Sequence, residues 1–259
     1  RCLGIEAFSS ICPGRRGSMY SFREIVQNSD LEKYFRLRRD LYLQTALAPF
    51  LNDNDAGIDL DLHDLHSKFY GLYAGEDLVG GIRLIVDKAA HYNSHVYDLG
   101  RRHRIYDDRC GDPAGLQALP HDDFPFVGYS DETRAFYERW RGDHPFCEAG
   151  RFVICDDHRG MKLAQFVIEC TTVTAMIHSG ARVGLGVTFA SYPKAYRRYG
   201  YHYIGETEHY MVNGVKLAGV VGRLCLDLSE GSSVPEHLHD RFEGMAEEFM
   251  TTGRMVAAL

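Results

Sequence analysis

The feature that most constrains the fold is a strand–helix–strand pattern in residues 151–190. The run RFVIC (151–155) is short, apolar and bounded by polar residues, which is typical of a buried strand. Apolar residues then repeat at helical spacing, and the helix that they predict ends at Gly180. These residues are Leu163, Phe166, Val167, Cys170, Val173 and Ile177. The run RVGLGVTFA (182–190) predicts a second strand, so we expect helices packed on a sheet.

The N-terminal part adds further elements of the same kind. The run MYSFREIVQ (19–27) alternates as a strand does, and Ser29 with Glu32 has the spacing of a capping box at a helix start. Residues 67–87 contain two apolar runs that flank Gly75, a pattern that predicts a β-hairpin. Strands and helices are thus interspersed along the chain.

Several segments lack this clear periodicity. Residues 1–18 are predicted to be a flexible leader, and residues 88–146 an insertion with one or two helices. Residues 193–200 predict a short helix, and residues 201–212 and 217–228 a closing pair of strands. We therefore expect a single α/β domain over residues 19–233, with a mixed, largely antiparallel sheet flanked by helices. Residues 234–259 are predicted to form a polar C-terminal helix.

Composition excludes several classes of protein. The net charge of −7 gives no reason to expect a nucleic-acid partner. The seven cysteines contain no C-x-x-C pair, which argues against a zinc site or disulfide framework and favours reduced thiols in the cytoplasm. The histidines, including His63 and His66, lack other ligands at metal spacing, so no metal is expected. No apolar run approaches the length of a membrane span.

Arg159 and Gly160 form a candidate phosphate site where the 161–179 helix begins. Free backbone N–H groups at a helix start and the helix dipole favour an anion. Arg159 adds a charged donor, Gly160 allows close backbone approach, and Met161 is the first residue beyond them. A solvated surface loop is the other interpretation of these residues.

The order of these motifs resembles the GNAT acyltransferase superfamily. The matching parts are the strand, Arg159-Gly160, the helix, the next strand and then AYRRYGYHYIGE (195–206). This resemblance implies that pantetheine lies along the strand and that its phosphate binds at the helix start. It also places Tyr196 where many members carry a tyrosine that protonates the leaving thiolate. A core aromatic is the alternative for Tyr196.

Six further short motifs occur in the order found in one branch of that superfamily. They supply Arg38 and Tyr42, Asp61, Asp64, Arg83, Glu148 and Arg151. The set resembles the acyl-homoserine-lactone synthases of the LuxI type, and more closely the long-chain N-acyl amino acid synthases of the FeeM type. It covers about residues 20–87 and 146–228. The chain departs from the lactone synthases because LQTALAPFLNDNDAG (43–57) contains no Trp, and because Gly150 replaces the usual Ser before Arg151.

The resemblance implies an N-acyltransferase that moves a long-chain fatty acyl group from a phosphopantetheine thioester to the amine of an amino acid. Such a thioester is already activated, so no tightly bound cofactor is required. Glu148 is the candidate general base, and a bulge in its strand would free N–H groups near Phe152 and Val153 for the thioester oxygen. A salt bridge between Glu148 and Arg151 is the alternative, and it also needs a bend or bulge.

The charged residues of the N-terminal half are the candidate acceptor site. An arginine fork binds a carboxylate well, and an aspartate can hold an ammonium group. The candidates are Arg38, Tyr42, Asp61, Asp64, Arg83 and Arg151. The alternative is a structural ion-pair cluster that braces the N-terminal part, and both interpretations can hold together.

The donor is either acyl carrier protein, which such relatives favour for long chains, or acyl-CoA. Because carrier proteins are acidic, a basic docking patch is expected. Its candidate residues are Arg101, Arg102, Arg104, Lys194, Arg197 and Arg198. Two other functions stay open: an acyl-homoserine-lactone synthase that uses S-adenosylmethionine, and a non-catalytic protein that binds an acyl carrier or acyl ligand.

Overall fold

One eight-stranded sheet forms the centre of the chain, in the strand order β6-β7-β5-β4-β3-β2-β1-β8. The computed structural model describes residues 19–45, 48, 51, 54–86, 92–106, 124–125, 130–140, 146–178, 183–189, 196–212, 215–225 and 233–259. The strands are β1 (Met19–Glu24), β2 (Ser67–Ala74), β3 (Asp77–Ile85), β4 (Phe146–Ile154), β5 (Val183–Phe189), β6 (His202–Val212), β7 (Val215–Cys225) and β8 (Arg254–Ala258). The helices are α1 (Asn28–Leu43), α2 (Ser94–Arg102), α3 (Asp131–Trp140), α4 (Met161–His178) and α5 (His239–Thr252). The expected leader lies outside the described residues.

The sheet is mixed and largely antiparallel, as the sequence predicts. The described strand pairs are antiparallel except for β4 with β5, which run parallel. The strand–helix–strand unit produces this parallel pair, because α4 returns the chain to the end where β4 began. Among the described residues, no helix is long and apolar enough to cross a membrane.

Helices cover both faces of the sheet, and each face has its own apolar core. On the first face, α1 packs against β3 and β4 and α2 packs against α1, and the core there contains Leu31, Tyr34, Phe69, Leu99 and Val153. On the second face, α4 and α5 pack together, and that core contains Tyr70, Leu84, Phe166, Val173 and Phe242. Neighbouring residues such as Phe69 and Tyr70 belong to different cores because successive strand side chains point to opposite faces.

Three expectations about element boundaries are corrected. Residues 234–259 are not a helix alone, since α5 is followed by β8, which pairs with β1 and joins the C-terminal segment to the domain. The capping box at Ser29 and Glu32 does not form; α1 begins at Asn28 with no side-chain cap from Gln27. β4 begins at Phe146 rather than at residue 151, so Glu148 lies inside the strand.

Candidate functional site

The sheet opens between its two parallel strands at Glu148. The pairing of β4 with β5 covers Phe146, Cys147 and Glu148. Beyond that point β4 continues beside β3 to Ile154, while β5 continues beside β7 to Phe189. The described parts of the two strands therefore separate after Glu148, and the edge of β4 that faces β5 presents its backbone to the opening.

A β-bulge follows Glu148 in β4. Gly81 pairs with Val153 and Arg83 with Gly150, so β4 contains one residue more than β3 over this interval. Arg151 accommodates the bulge with a φ of 56°, which is uncommon for a residue other than glycine. The Tyr34 hydroxyl on α1 donates to the Arg151 carbonyl at 2.8 Å and supports this backbone conformation. The bulge includes Phe152 and lies directly beside Val153.

Glu148, Gly150 and Arg83 lie on the face that α1 and α2 cover. Cys147 and Ala149, the neighbours of Glu148, pack into the other core. Because side chains alternate along a strand, the Glu148 side chain points toward α1, and a side chain at residue 150 would do so too. Arg83 is the direct partner of Gly150 in the antiparallel pair, and such partners share a face. Glu148 itself is buried.

Arg38 on α1 is the centre of a buried charge network on this face. Its Nε lies 2.6 Å from Asp59 Oδ2, and its Nη2 donates to Asp64 Oδ2 at 2.8 Å. A further bond from Nη2 reaches the Asp59 carbonyl. The side chains of Arg38, Asp59 and Asp64 have no exposed surface, so these groups hold one another in the interior.

Arg83 on β3 links this network to Asp61. Its Nη1 donates to both Asp61 oxygens at 2.7 and 2.8 Å and to Asp64 Oδ1 at 2.9 Å. Asp61 and Asp64 also form a capping box around the 3₁₀ turn Leu62–His66, since each side chain accepts the other's backbone N–H. The short turn thereby fixes the spacing of the two carboxylates.

Arg151 forms the outer edge of the network. Its Nη1 lies 3.3 Å from Asp59 Oδ2 and its Nη2 lies 3.1 Å from Asp61 Oδ2, both longer than the 2.6 Å contact of Arg38 with Asp59. The Arg151 guanidinium also lies 5.6 Å from the centre of the Tyr42 ring. The side chains of Arg151 and Asp61 are 14% and 15% exposed. A small ligand on this side therefore reaches Arg151 and Asp61 before the inner groups.

The charged groups of the network shift one another's pKa values strongly. Burial raises the pKa of Asp61, but the positive charges of Arg83, Arg151 and Arg38 outweigh this and hold the pKa well below its ordinary value of 3.8. Burial also lowers the pKa of Arg38, yet Asp64 and Asp59 raise it well above the usual value. Asp61 is therefore a carboxylate, and Arg38 a cation, across the ordinary pH range.

The predicted phosphate site lies at the C-terminal end of β4, where α4 begins. Arg159 Nε donates to the Ile154 carbonyl at 3.1 Å, and its Nη1 lies 2.8 Å from Asp156 Oδ1. The Arg159 side chain is 37% exposed, and Met161 is exposed. Apart from the chain neighbours Arg159 and Met161, no described residue has an atom within 4 Å of a Cβ built on Gly160, so a ligand has room to approach this helix start.

Tyr196 lies on the opposite face of the sheet from Glu148, in the turn before β6. Its ring packs on the α4 core and lies 5.4 Å from the ring of Tyr201, edge to face. The same turn is anchored by Tyr199, whose hydroxyl donates to Glu169 Oε1 on α4 at 3.2 Å. Gly200 ends the turn with a φ of 88°, and a Cβ there would lie 1.8 Å from the Ser233 carbonyl oxygen. The position of Tyr196 is thus constrained by its neighbours.

The described residues proposed for the docking patch, which are Arg101, Arg102, Arg104, Arg197 and Arg198, are all exposed, but at least three of them contact other side chains. Arg102, which is 56% exposed, lies 3.8 Å from Glu32 of α1. Arg197 and Arg198 are exposed and contact the rings of Tyr203 and Tyr199. Lys194 lies outside the described residues.

Sequence reasoning missed two residues of the site. Asp59 bridges Arg38 and Arg151, and its only sequence signal is its place in DLDLHD (59–64), two residues before Asp61. Tyr34 supports the bulge from α1, but in the sequence it is one of several aromatics at helical spacing.

The fold is shared with two acyl-transferring enzymes of known structure. FeeM, an N-acyl amino acid synthase from uncultured soil microbes, aligns with a TM-score of 0.52 and 16% identity, over 80% of this chain and 91% of FeeM. BjaI, a CoA-dependent acyl-homoserine lactone synthase bound to SAM and isopentyl-CoA, aligns with a TM-score of 0.52 and 15% identity, over 86% of this chain and 90% of BjaI. These matches confirm the predicted fold. No family model matches this chain, and no curated protein sequence matches it.

Proposed function

We propose that this protein is an N-acyltransferase that moves an acyl group from a phosphopantetheine thioester to the amine of an amino acid. The observation that carries the proposal is the opening between β4 and β5 at Glu148, which has a charged network on one side and a helix start at its end. The donor's pantetheine arm would lie along the open edge of β4, with its phosphate at Arg159 and Gly160. The shared fold with FeeM and BjaI supports this class of reaction.

In this mechanism the reactants meet at Glu148. The acceptor arrives as an ammonium ion, and Glu148 removes one proton, directly or through a water. The amine nitrogen then attacks the thioester carbon, and backbone N–H groups beside the bulge, near Phe152 and Val153, stabilise the oxyanion. When the intermediate collapses, the C–S bond breaks and the thiolate takes a proton from Tyr196, while the nitrogen gives its second proton to water and Tyr196 regains a proton from solvent. Acid and base thus act from opposite faces of the sheet.

The acceptor would bind at the outer edge of the network. Asp61 is ionised and 15% exposed, so it can hold the incoming ammonium group. Arg151 offers a charged partner for a carboxylate. The exposed arginines support an acidic acyl carrier protein as the donor.

Substitution of Glu148 by Gln tests the base. We expect turnover to fall by about 10²- to 10⁴-fold because proton removal is lost, while the acyl donor still binds. The purified protein is incubated with a long-chain acyl carrier protein or acyl-CoA and an amino acid mixture, and products are read by mass spectrometry. Glu24→Gln on β1, which removes a partner of Lys68, is the matched control. Unchanged turnover in Glu148→Gln would remove Glu148 from the mechanism.

A lactone synthase is the second candidate, since the similarity to BjaI equals that to FeeM in TM-score. Adding S-adenosylmethionine to the same incubation separates the two functions. An acyl-amino acid supports the proposal, whereas an acyl-homoserine lactone assigns the chain to the second candidate. Donor binding without any product would support a non-catalytic acyl-binding protein.

A further inference from the structure

Among the described residues, an open space lies above Gly150, between the candidate base Glu148 and the outer edge of the charge network at Arg151 and Asp61. Apart from its chain neighbours Ala149 and Arg151, no described residue has an atom within 4 Å of a Cβ built on Gly150. The glycines of the neighbouring strand differ, because a Cβ on Gly80 would lie 2.6 Å from the Val153 carbonyl oxygen and one on Gly81 2.8 Å from the Tyr34 ring. A side chain therefore has room at Gly150 of β4 but not at Gly80 or Gly81 of the neighbouring strand β3.

The groups that border this space suit the two ends of an α-amino acid. Glu148 and Gly150 are about 6.6 Å apart along the strand, and both point toward α1. The next residue, Arg151, brings its guanidinium to the same face through the bulge. An amine at Glu148 and a carboxylate one carbon away therefore place the carboxylate over Gly150, near Arg151.

Of the three arginines on this face, Arg151 is the best placed to bind that carboxylate, because it is the most exposed and has the longest ion-pair contacts. Arg38 is fully buried and Arg83 is 5% exposed, and both have short contacts to aspartates. Arg151 is 14% exposed, and its contacts with Asp59 and Asp61 are 3.3 and 3.1 Å long. A partly exposed guanidinium with longer contacts can turn toward a ligand at a lower energetic cost than a buried one.

We propose that the space above Gly150 receives the α-carboxylate of the acceptor, so that Gly150 determines specificity for amines with an adjacent carboxylate. The inference rests on the proposed function and refines it. A side chain at residue 150 would occupy the carboxylate's place and leave the donor site at Arg159 and Gly160 untouched. Gly150 is thus a specificity-determining residue rather than a catalytic one.

The backbone of Gly150 permits the test. Gly150 is not among the glycines with positive φ, so alanine and valine fit its conformation without strain. Valine also favours extended backbone. The variants Gly150→Ala and Gly150→Val are therefore expected to fold, which thermal unfolding checks before any assay.

The experiment measures kcat and KM of each variant with two matched acceptor pairs: leucine with isopentylamine, and phenylalanine with phenethylamine. We expect Gly150→Val to raise KM for the amino acids by about tenfold or more, and Gly150→Ala by less, because the larger side chain takes more of the carboxylate's space; a tenfold change corresponds to about 1.4 kcal/mol. KM for the amines and for the acyl donor should stay within about twofold. Gly244→Ala on α5, where a Cβ also meets open space, is the control.

The results separate the inference from the function on which it rests. If KM for the amino acids is unchanged in Gly150→Val, or if amino acids and amines lose equally, the carboxylate does not bind there. If the wild-type protein acylates no acceptor, the proposed function fails. Calorimetric titration of leucine and phenylalanine into both proteins still decides the inference in that case, because tighter or equal binding by Gly150→Val overturns it.

Discussion

The two faces of the sheet differ in the number of buried charged side chains that they hold. The α1 face holds the guanidinium groups of Arg38, Arg83 and Arg151 with the carboxylates of Asp59, Asp61 and Asp64. On the α4 face the described ion pairs include one buried carboxylate, Glu169, which meets the half-exposed Arg241 at 2.6 Å. Replacing buried ion pairs by apolar residues of similar volume is often neutral or stabilising in proteins, because desolvation of the charges costs free energy. Stability alone therefore does not explain why this face holds so many charges.

The α1 face is itself divided by depth. Arg38, Asp59 and Asp64 are completely buried, while Arg151 and Asp61 reach the surface. The two interpretations of the charged residues, a structural brace and an acceptor site, thus fit different parts of one network. The inner part should affect folding most, and the outer part should affect acceptor use.

The largest effect is expected for Arg38→Met. This change leaves Asp59 and Asp64 buried with less positive charge, and it should lower the free energy of unfolding by about 3–5 kcal/mol. Arg36→Met, two residues away on the same helix, removes a pair between side chains that are 46% and 26% exposed, and should cost less than about 1 kcal/mol. Urea unfolding of both variants checks this. Equal losses would show that the buried network contributes no more to stability than an exposed ion pair does.

Arg151→Met should affect turnover more than folding. Asp59 keeps Arg38 and Asp61 keeps Arg83 as partners, so the inner network survives. Loss of a charge-assisted contact to the acceptor should lower kcat/KM for the acceptor by about 10- to 100-fold. The KM for the acyl donor should not change. A variant that unfolds as readily as Arg38→Met would instead make Arg151 part of the brace.

The network should also make stability depend on acidity. The folded-state pKa of Asp61 lies well below 3.8, so its contribution is fully present above that value. As the pH falls through the folded-state pKa, Asp61 takes up a proton and the contribution is lost. Asp61→Asn should therefore show a shallower decline in unfolding free energy below about pH 4 than the wild-type protein. Parallel slopes in denaturant titrations across this range would contradict the assignment.

Sequence reasoning found the elements whose periodicity extends over several turns or pairs. α1, the β2–β3 hairpin and α4 were predicted in this way and are present. β8 was missed because a five-residue strand carries little pattern and depends on β1 for its pairing. β4 was predicted too short because Glu148 and Gly150 lower the strand propensity of its first half.

For the site, too, local sequence predicted some features correctly and others wrongly. The charged residues were predicted from an ordered set of motifs, and the structure brings Arg38, Asp61, Asp64, Arg83 and Arg151 together. The capping-box pattern was assigned to Ser29 and Glu32, although it forms at Asp61 and Asp64, where Arg83 and Arg38 hold the carboxylates. Such a choice depends on tertiary contacts that local sequence does not contain.

The smallest effects are expected on the α4 face. Tyr199 donates to Glu169, and burial together with the nearby Glu169 charge raises the pKa of Tyr199 to about 12, so it remains a neutral donor at ordinary pH. Tyr199→Phe removes one hydrogen bond and should lower the free energy of unfolding by about 1 kcal/mol. Glu169→Gln should cost about the same, because Arg241 is 59% exposed and water can solvate it once its partner is neutral. Glu247→Gln, at an exposed position of α5, is the control. A loss in Glu169→Gln as large as that in Arg38→Met would mean that a single half-exposed pair matters as much as the buried network, and the contrast between the two faces would then have no energetic basis.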